Sequence, residues 1–251
     1  MDESVTVTLV ANAGVLLTYH GRKILIDGLY MVLDSAFSDL PTDTIQSLRL
    51  NRAPFDGVDY ILFTHEHSDH FSAAMVQAYL QKHSARGVLL PPVRTEEQKA
   101  LAAMLSKRGI PFVASDKVRA AISPEPGIKV LPIRTRHVDR HFWETPHYAL
   151  LVTLGEKNFL FTGDADYTSE TFPGLPPLRA AFLNPLFFRA VSTKTFFHGE
   201  LPTDTYCVYH IPFAERDVYD IRRTVQKCLE QHPIPDKHVY VLQDAGQQII
   251  L

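Results

Sequence analysis

The sequence predicts an α/β protein in which two β-sheets pack face to face and helices cover their outer surfaces. Two observations support this fold class. Short apolar runs bounded by turns indicate strands in both halves of the chain, and segments with helical spacing of apolar residues separate several of them. A sheet must bury its apolar face against another layer, so two strand-rich halves with intervening helices favour a layered sandwich.

The first half begins with a predicted antiparallel meander and continues with alternating strands and helices. The predicted strands are residues 5–10, 15–19, 23–26, 60–63 and 87–90. Helical spacing of apolar residues occurs near 44–50 and across 71–84. A third helix is predicted to begin after Thr95, because Gln98 three residues later completes a capping box, and to end near Lys107.

The second half has predicted strands at 128–133, 148–154, 158–162 and 239–242, and another that ends at Val208-Tyr209. A helix is predicted over 215–230. No repeat or low-complexity linker divides the two halves, and 251 residues suit one domain with a substantial core. We therefore expect a single domain that spans residues 1–251.

The composition is that of a globular protein, with 45% hydrophobic and 21% charged residues. A net charge of -3 gives no electrostatic reason to expect nucleic acid as a partner. No apolar stretch approaches a membrane span, and the chain starts with acidic residues where a secretory signal would be basic, so we expect a cytoplasmic protein. Cys207 and Cys228 lack close metal-type spacing and are expected to remain reduced.

The segment Thr64-His65-Glu66-His67-Ser68-Asp69-His70 follows the predicted buried strand 60–63 and contains three histidines and one aspartate. Imidazole and carboxylate suit zinc and related divalent ions. The segment offers too many ligands for one catalytic ion, which must keep a position for water, so we expect two. His65 and His67 could turn to one ion, and Asp69 and His70 to a second about 4 Å away.

The further ligands of two such ions must come from elsewhere, and His137, Asp164 and His210 each follow a predicted strand. Gly163 allows the backbone to turn closely before Asp164. Each of these residues has competitors in the sequence, which are His141 and His147 for His137, Asp166 for Asp164, and His198 for His210. The strand context favours His137 and His210 over their competitors, and Asp166 suits a turn or capping role better than a ligand role.

These residues resemble the signature of the metallo-β-lactamase superfamily, a His-x-His-x-Asp-His loop followed by a distant His, an Asp after a glycine, and a final His. The hairpin Asn12-Ala13-Gly14-Val15 and the segment Ile26-Asp27-Gly28 also resemble that family's first motif. The resemblance spans nearly the whole chain. It implies a four-layer αββα sandwich of two mixed β-sheets flanked by helices, with Asp27 supporting a ligand rather than binding metal.

The same resemblance implies a complete set of metal ligands. The first ion would be bound by His65, His67 and His137, the second by Asp69, His70 and His210, and both by a bridging Asp164. Two dications, zinc in the first place and manganese or iron as alternatives, would lower the pKa of a shared water and hold hydroxide near neutral pH. The family assigns Asp69 the catalytic role of orienting that water and accepting its proton.

The form Asp69-His70-Phe71-Ser72 departs from true β-lactamases and glyoxalase II, which have glycine after this histidine. It is more similar to the branch that contains the ascorbate-phosphate lactonase type and ribonuclease Z. We therefore expect hydrolysis of a small phosphodiester or of a lactone or other carboxylic ester. The alternatives are an iron-loaded oxidoreductase and a non-catalytic metal-binding regulatory protein. A homodimer is the base-rate expectation for assembly.

Two segments combine aromatic and basic residues near the predicted ligands. Residues 140–144 include Trp143, and residues 187–194 include Arg189 and Lys194. They could line a pocket for an anionic substrate. The competing interpretation is that the aromatic side chains pack in the core and the basic side chains are solvated.

Overall fold

The computed structural model describes residues 3–32, 37–167, 172, 174–188 and 201–251. Within them the strands form two seven-stranded sheets. In spatial order the first sheet contains β14 (Gln248–Ile250), β1 (Thr6–Ala11), β2 (Gly14–Tyr19), β3 (Arg22–Ile26), β4 (Tyr60–Leu62), β5 (Gly87–Leu90) and β6 (Phe112–Ala114). The second contains β13 (His238–Val241), β12 (Thr205–Val208), β11 (Ala180–Leu183), β10 (Lys157–Phe161), β9 (His147–Leu154), β8 (Ile128–Thr135) and β7 (Ile122–Glu125).

Both sheets are mixed. In the first, β14, β1, β2 and β3 pair antiparallel, and β3 to β6 pair parallel. In the second, β7 to β10 pair antiparallel and β10 to β13 pair parallel. The parallel half of each sheet needs crossover connections, and helices α1 (Thr42–Leu50), α2 (Ala73–Lys82) and α3 (Glu96–Lys107) lie in those of the first sheet.

The main core lies between the two sheets and follows from the two-residue period of the strands. In β10, Phe159 and Phe161 are fully buried in the cluster shared by both sheets, whereas Leu160 belongs to the cluster on the outer face. Phe161 stacks on Phe182 of β11 with ring centroids 4.4 Å apart. The apolar alternation of each strand therefore supplies both faces of its sheet.

Helices cover both outer faces. Leu48, Tyr79 and Leu101, one from each of α1 to α3, are buried in the cluster outside the first sheet. Val225 of α4 (Ile221–Gln231) is buried in the cluster outside the second sheet. The order of layers is helix, sheet, sheet, helix, which confirms the predicted fold class.

Most predicted elements are present, including the capping box in which the Gln98 backbone N–H donates to Thr95. The strands β6, β7, β11 and β14 were not predicted. The helix predicted over 215–230 begins only at Ile221, because the Asp217 carboxylate accepts the backbone N–H groups of Ile221 and Arg222 at 2.8 Å and so satisfies the donors of its first turn.

Membrane-spanning helices and the two cysteines were the subject of two further sequence expectations. Among the described helices, none has the length and the apolar composition that a membrane-spanning segment requires. Cys207 and Cys228 are free thiols, and burial between the sheets raises the pKa of Cys207. A protonated thiol inside the core has no access to a substrate, so Cys207 has a packing role.

Because the Phe161–Phe182 stack lies fully buried between the sheets, we predict that Phe182→Ala lowers the free energy of unfolding by about 3–5 kcal/mol. Val218→Ala is the matched control, since Val218 is 73% exposed, and it should stay within about 0.5 kcal/mol of wild type. Urea denaturation monitored by circular dichroism measures both. Equal stability of the two variants would show that the inter-sheet core is not where the structure places it.

Candidate metal centre

Loops that follow four strands meet at one edge of the sandwich. β4 leads to His65, β8 to His137, β10 to Asp164, and β12 to His210. The backbone N–H of Tyr148 donates to the Thr64 carbonyl at 3.1 Å and so joins the two sheets directly beside the first loop. The Val138 N–H donates to the Asp164 carbonyl at 2.8 Å. The predicted ligands are therefore held together by main-chain hydrogen bonds as well as by the sheets.

The seven predicted ligands form two groups in which the potential ligand atoms all lie within 4.8 Å of one another. The groups are His65, His67, His137 and Asp164, and Asp69, His70, Asp164 and His210. Asp164 belongs to both. The structure thus brings together every residue that the sequence selected, in the two sets that the family resemblance implied.

Ring nitrogens face each other inside both groups. His65 Nε2 lies 3.0 Å from His67 Nδ1, and His70 Nε2 lies 2.9 Å from His210 Nε2. Asp164 Oδ1 is 3.1 Å from His210 Nε2. Imidazole nitrogens and carboxylate oxygens that converge in this way are the donor set of zinc and similar divalent ions.

Two buried atoms provide a direct test of that fit. Asp69 Oδ2 lies 3.4 Å from His210 Nε2, and His137 Nε2 lies 3.4 Å from Asp164 Oδ2, but neither buried atom forms a hydrogen bond of good geometry. Leaving a buried polar atom unpaired costs about 1–3 kcal/mol, more for a charged group, so such atoms at a site call for a specific reason. Each of the two belongs to one of the ligand groups, and a divalent ion in each group would satisfy them. The residues present therefore fit two metal ions.

Asp27 supports the centre from behind, as the sequence predicted. Its buried carboxylate accepts the Thr64 backbone N–H at 2.9 Å and the Thr64 hydroxyl at 2.7 Å. Asp27 Oδ2 also lies 2.9 Å from His70 Nδ1, which leaves His70 Nε2 directed at His210 and Asp164. A carboxylate behind a ligand histidine fixes its ring orientation and tautomer.

Electrostatics separate the histidines into two kinds. Burial lowers the pKa of His65 and of His147 well below the ordinary value, so both are neutral imidazoles. Burial also works to lower the pKa of His70, but the carboxylates of Asp164 and Asp69 outweigh it and raise this pKa well above its ordinary value. The surrounding carboxylates therefore favour the charged form of His70.

The two carboxylates are correspondingly ionised. Burial works to raise the pKa of Asp164, but His210 and His70 hold this pKa well below its ordinary value. For Asp69, burial again opposes ionisation, and His70 and His210 lower the pKa. Both side chains are thus available as anionic ligands at neutral pH.

The competitors of His137 occupy other roles. His147 is buried, but its Nε2 accepts the Asp164 backbone N–H at 3.0 Å and its Nδ1 lies 2.5 Å from Thr135 Oγ1. With both nitrogens engaged, it positions Asp164 instead of taking part in either group. The His141 side chain is 89% exposed and pairs with Asp139. His137 is therefore the histidine of this region that the structure places at the centre, with Nδ1 3.0 Å from the Asp139 backbone nitrogen.

Asp166 is buried outside both groups and forms an ion pair with Arg136 at 2.7 Å, so it is not the ligand candidate. His198, the competitor of His210, lies outside the described residues, as do Arg189 and Lys194.

Trp143 is 40% exposed, and the guanidinium groups of Arg136 and Arg140 lie 4.4 and 5.6 Å from the centre of its ring. Arg136 and Arg140 therefore both stack on Trp143.

Sequence reasoning missed the residues that hold the turn at Asp164. Asn184 donates from its side chain to the carbonyls of Gly163 and Ala165, and the Tyr209 hydroxyl accepts the Gly163 N–H at 2.7 Å. Asn184 follows β11, a strand without a clear sequence signal. Gly163 itself has φ 53°, and a Cβ there would approach Thr64 Oγ1 to 2.9 Å, so the turn requires glycine as predicted.

Comparisons with known proteins agree with this architecture. The model of the family described as "Metallo-beta-lactamase superfamily" matches residues 7–210. No curated protein sequence matches the chain.

Solved structures resemble the chain along its length. Igni18, a metallo hydrolase from the archaeon Ignicoccus hospitalis, has a TM-score of 0.65 and 14% identity, over 99% of this chain and 98% of that one. An isothiocyanate hydrolase from Delia radicum gut bacteria has a TM-score of 0.65 and 17% identity, over 97% and 98%. The diiron β-hydroxylase CmlA from Streptomyces venezuelae has a TM-score of 0.56 and 18% identity, over 100% of this chain and 54% of that one. At these identities the likenesses show the fold alone.

Because Asp27 orients His70, we predict that Asp27→Asn lowers the affinity for a divalent metal about 10–100-fold while the protein stays folded. Competition of the metal-loaded protein with a chelator, followed by elemental analysis, measures the change. Asp56→Asn is the control, because Asp56 pairs with Lys23 on the surface. Identical chelator curves for the two variants would remove Asp27 from the support of the centre.

Proposed function

The chain belongs to the metallo-beta-lactamase superfamily, and we propose that it is a hydrolase that holds two divalent metal ions, zinc in the first place. The single observation that carries this proposal is the pair of ligand groups that share Asp164. In the proposed arrangement His65, His67 and His137 bind one ion, Asp69, His70 and His210 bind the other, and Asp164 binds both. The proposed substrates are small phosphodiesters and carboxylic esters, including lactones.

The chemistry supplied by the two ions when bound would be a lowered pKa of a shared water and polarisation of the carbonyl or phosphoryl group under attack. The rest is the work of protein side chains. In the reaction the oxygen of one water bonds to carbon or phosphorus, the bond to the leaving oxygen breaks, and the leaving oxygen takes up a proton.

We propose that Asp69 orients the attacking water and accepts its proton. Its Oδ2 lies 3.4 Å from His210 Nε2 and 3.7 Å from His70 Nε2, on the side of the proposed second ion, which leaves the other carboxylate oxygen for the water. A carboxylate oxygen in that position can accept a hydrogen bond from the water and orient its lone pair.

The branch of the superfamily is also a proposal. The segment Asp69-His70-Phe71-Ser72 supports the lactonase and ribonuclease Z type, and Phe71 is buried against Phe63 with ring centroids 4.8 Å apart. Ser72 caps helix α2 by accepting the Met75 N–H at 3.3 Å. These contacts give Phe71 and Ser72 structural roles directly behind the ligand loop.

Elemental analysis of the purified protein, together with hydrolysis of bis(p-nitrophenyl) phosphate and of a panel of esters and lactones, tests the proposal. We predict two zinc ions per chain. We predict that Asp164→Ala and His137→Ala lose metal and that turnover falls by about 10²–10³-fold, since metal activation contributes several kcal/mol. His141→Ala is the matched control, because this exposed histidine lies four residues from His137 and outside both groups.

Two outcomes would contradict the proposal in different ways. A folded protein without stoichiometric metal would remove the metal centre altogether. Two iron ions without any hydrolysis would favour the oxidoreductase alternative, since the structurally similar CmlA is a diiron β-hydroxylase.

A further inference from the structure

A cavity of about 450 Å³ opens beside the two ligand groups. Its wall includes four of the seven ligand candidates, namely His67, His137, Asp164 and His210. The volume lies within the range of about 300–1,000 Å³ that is usual for small-molecule sites. A molecule that reacts at the centre can therefore place the rest of its structure in this cavity.

Two phenyl rings begin the cavity wall directly at the ligands. Phe142 packs edge-on against His67 with ring centroids 4.4 Å apart, and its ring centroid lies 5.2 Å from that of His137. Phe37 packs edge-on against His210 at 4.4 Å. One aromatic ring of the cavity wall thus adjoins each ligand group.

Aliphatic side chains continue the wall, chiefly Val138, Leu186 and Ile221. The structure leaves part of this apolar surface in contact with water, since Phe142 is 42% and Tyr219 is 67% exposed. Covering apolar surface is favourable by about 25 cal/mol per Å², so a ligand gains affinity by carrying an apolar group into the cavity. A charged group placed there would lose its hydration without compensation.

The charges around the cavity also favour an uncharged substituent. Apart from the ligand candidate Asp164, Asp139 is the charged side chain among the described residues of the wall, and that wall includes neither lysine nor arginine. Recognition of phosphate groups in proteins relies on arginine and lysine. The nearby Arg136 is instead paired with Asp166 and stacked on Trp143.

We propose, on the basis of the hydrolase function above, that the substrate is an uncharged carboxylic ester or lactone whose apolar substituent lies between Phe142, Phe37 and Leu186. The reaction adds one water across the ester bond: the water oxygen bonds to the carbonyl carbon, the carbon–oxygen bond to the leaving group breaks, and an alcohol, a carboxylate and a proton are released. This choice excludes substrates with charged substituents, among them nucleotide phosphodiesters.

A series of p-nitrophenyl esters with acetyl, butanoyl and hexanoyl groups tests the substrate class on the metal-loaded protein. A methylene that moves from water into the apolar cavity contributes about 0.8 kcal/mol, so kcat/KM should rise by up to about fourfold for each one. Mono-p-nitrophenyl adipate has the same chain length as the hexanoate but ends in a carboxylate. Its kcat/KM should be about tenfold or more below that of the hexanoate.

Variants of the wall show whether the cavity causes the dependence of kcat/KM on acyl-chain length. Leu186→Asn removes apolar wall without altering a ligand candidate, and it should flatten the dependence of kcat/KM on acyl-chain length. Leu50→Asn is the matched control, because Leu50 is 47% exposed on α1 and should leave the whole series unchanged. Metal content is measured for each variant.

The outcomes separate this inference from the proposed function. Hydrolysis of bis(p-nitrophenyl) phosphate with two bound metals, but a flat ester series or preference for the adipate, would overturn the substrate class and leave the hydrolase intact. A rising series that Leu186→Asn does not alter would overturn the role of the cavity. Absence of both metal and turnover would overturn both proposals together.

Discussion

Buried imidazoles and carboxylates converge at one edge of the sandwich, and the structure around them is arranged to keep this desolvated cluster in place. Removing such groups from water is costly unless each finds an opposite charge, a hydrogen bond or a metal. Asp27 compensates His70, and His70 and His210 compensate Asp69 and Asp164. Asp69 Oδ2 and His137 Nε2 form no hydrogen bond of good geometry, and a divalent ion in each ligand group would satisfy them.

The backbone is under constraint at the same edge. Asp27 and His210 have φ values of 45° and 60°, and Asn12, whose carbonyl accepts the His210 N–H at 2.9 Å, has a φ of 47°. Non-glycine residues with left-handed backbone are uncommon and persist only when the surroundings over-determine them. Here the main-chain bonds between β-sheet ends supply that over-determination, which holds ligand and supporting residues at fixed angles.

Features of this protein that depend on local residue spacing could be predicted from the sequence. Features that depend on contacts between residues distant in the sequence could not. The spacing within His65–His70 is local, so the ligand loop could be recognised directly, and strand ends identified His137, Asp164 and His210. Strand context favoured His137 over His147, but the reason that His147 is not a candidate ligand is long-range, because Thr135 and the Asp164 N–H engage both of its ring nitrogens in three dimensions. The same holds for β14, a three-residue strand that pairs with β1 from the opposite end of the chain.

The support of Asp164 shows a further limit. Asn184 and Tyr209 hold its turn from two neighbouring parallel strands, and no sequence pattern marks them as partners of Gly163. What the sequence did supply is the glycine itself, whose position before an aspartate signals a close turn.

The central claim is that one aspartate joins two metal sites, and anomalous X-ray diffraction at the metal absorption edge tests it most directly. We predict two peaks about 3.5–4 Å apart, the first beside His65, His67 and His137 and the second beside Asp69, His70 and His210, with Asp164 in contact with both. A single peak, or peaks away from these residues in fully loaded protein, would contradict it.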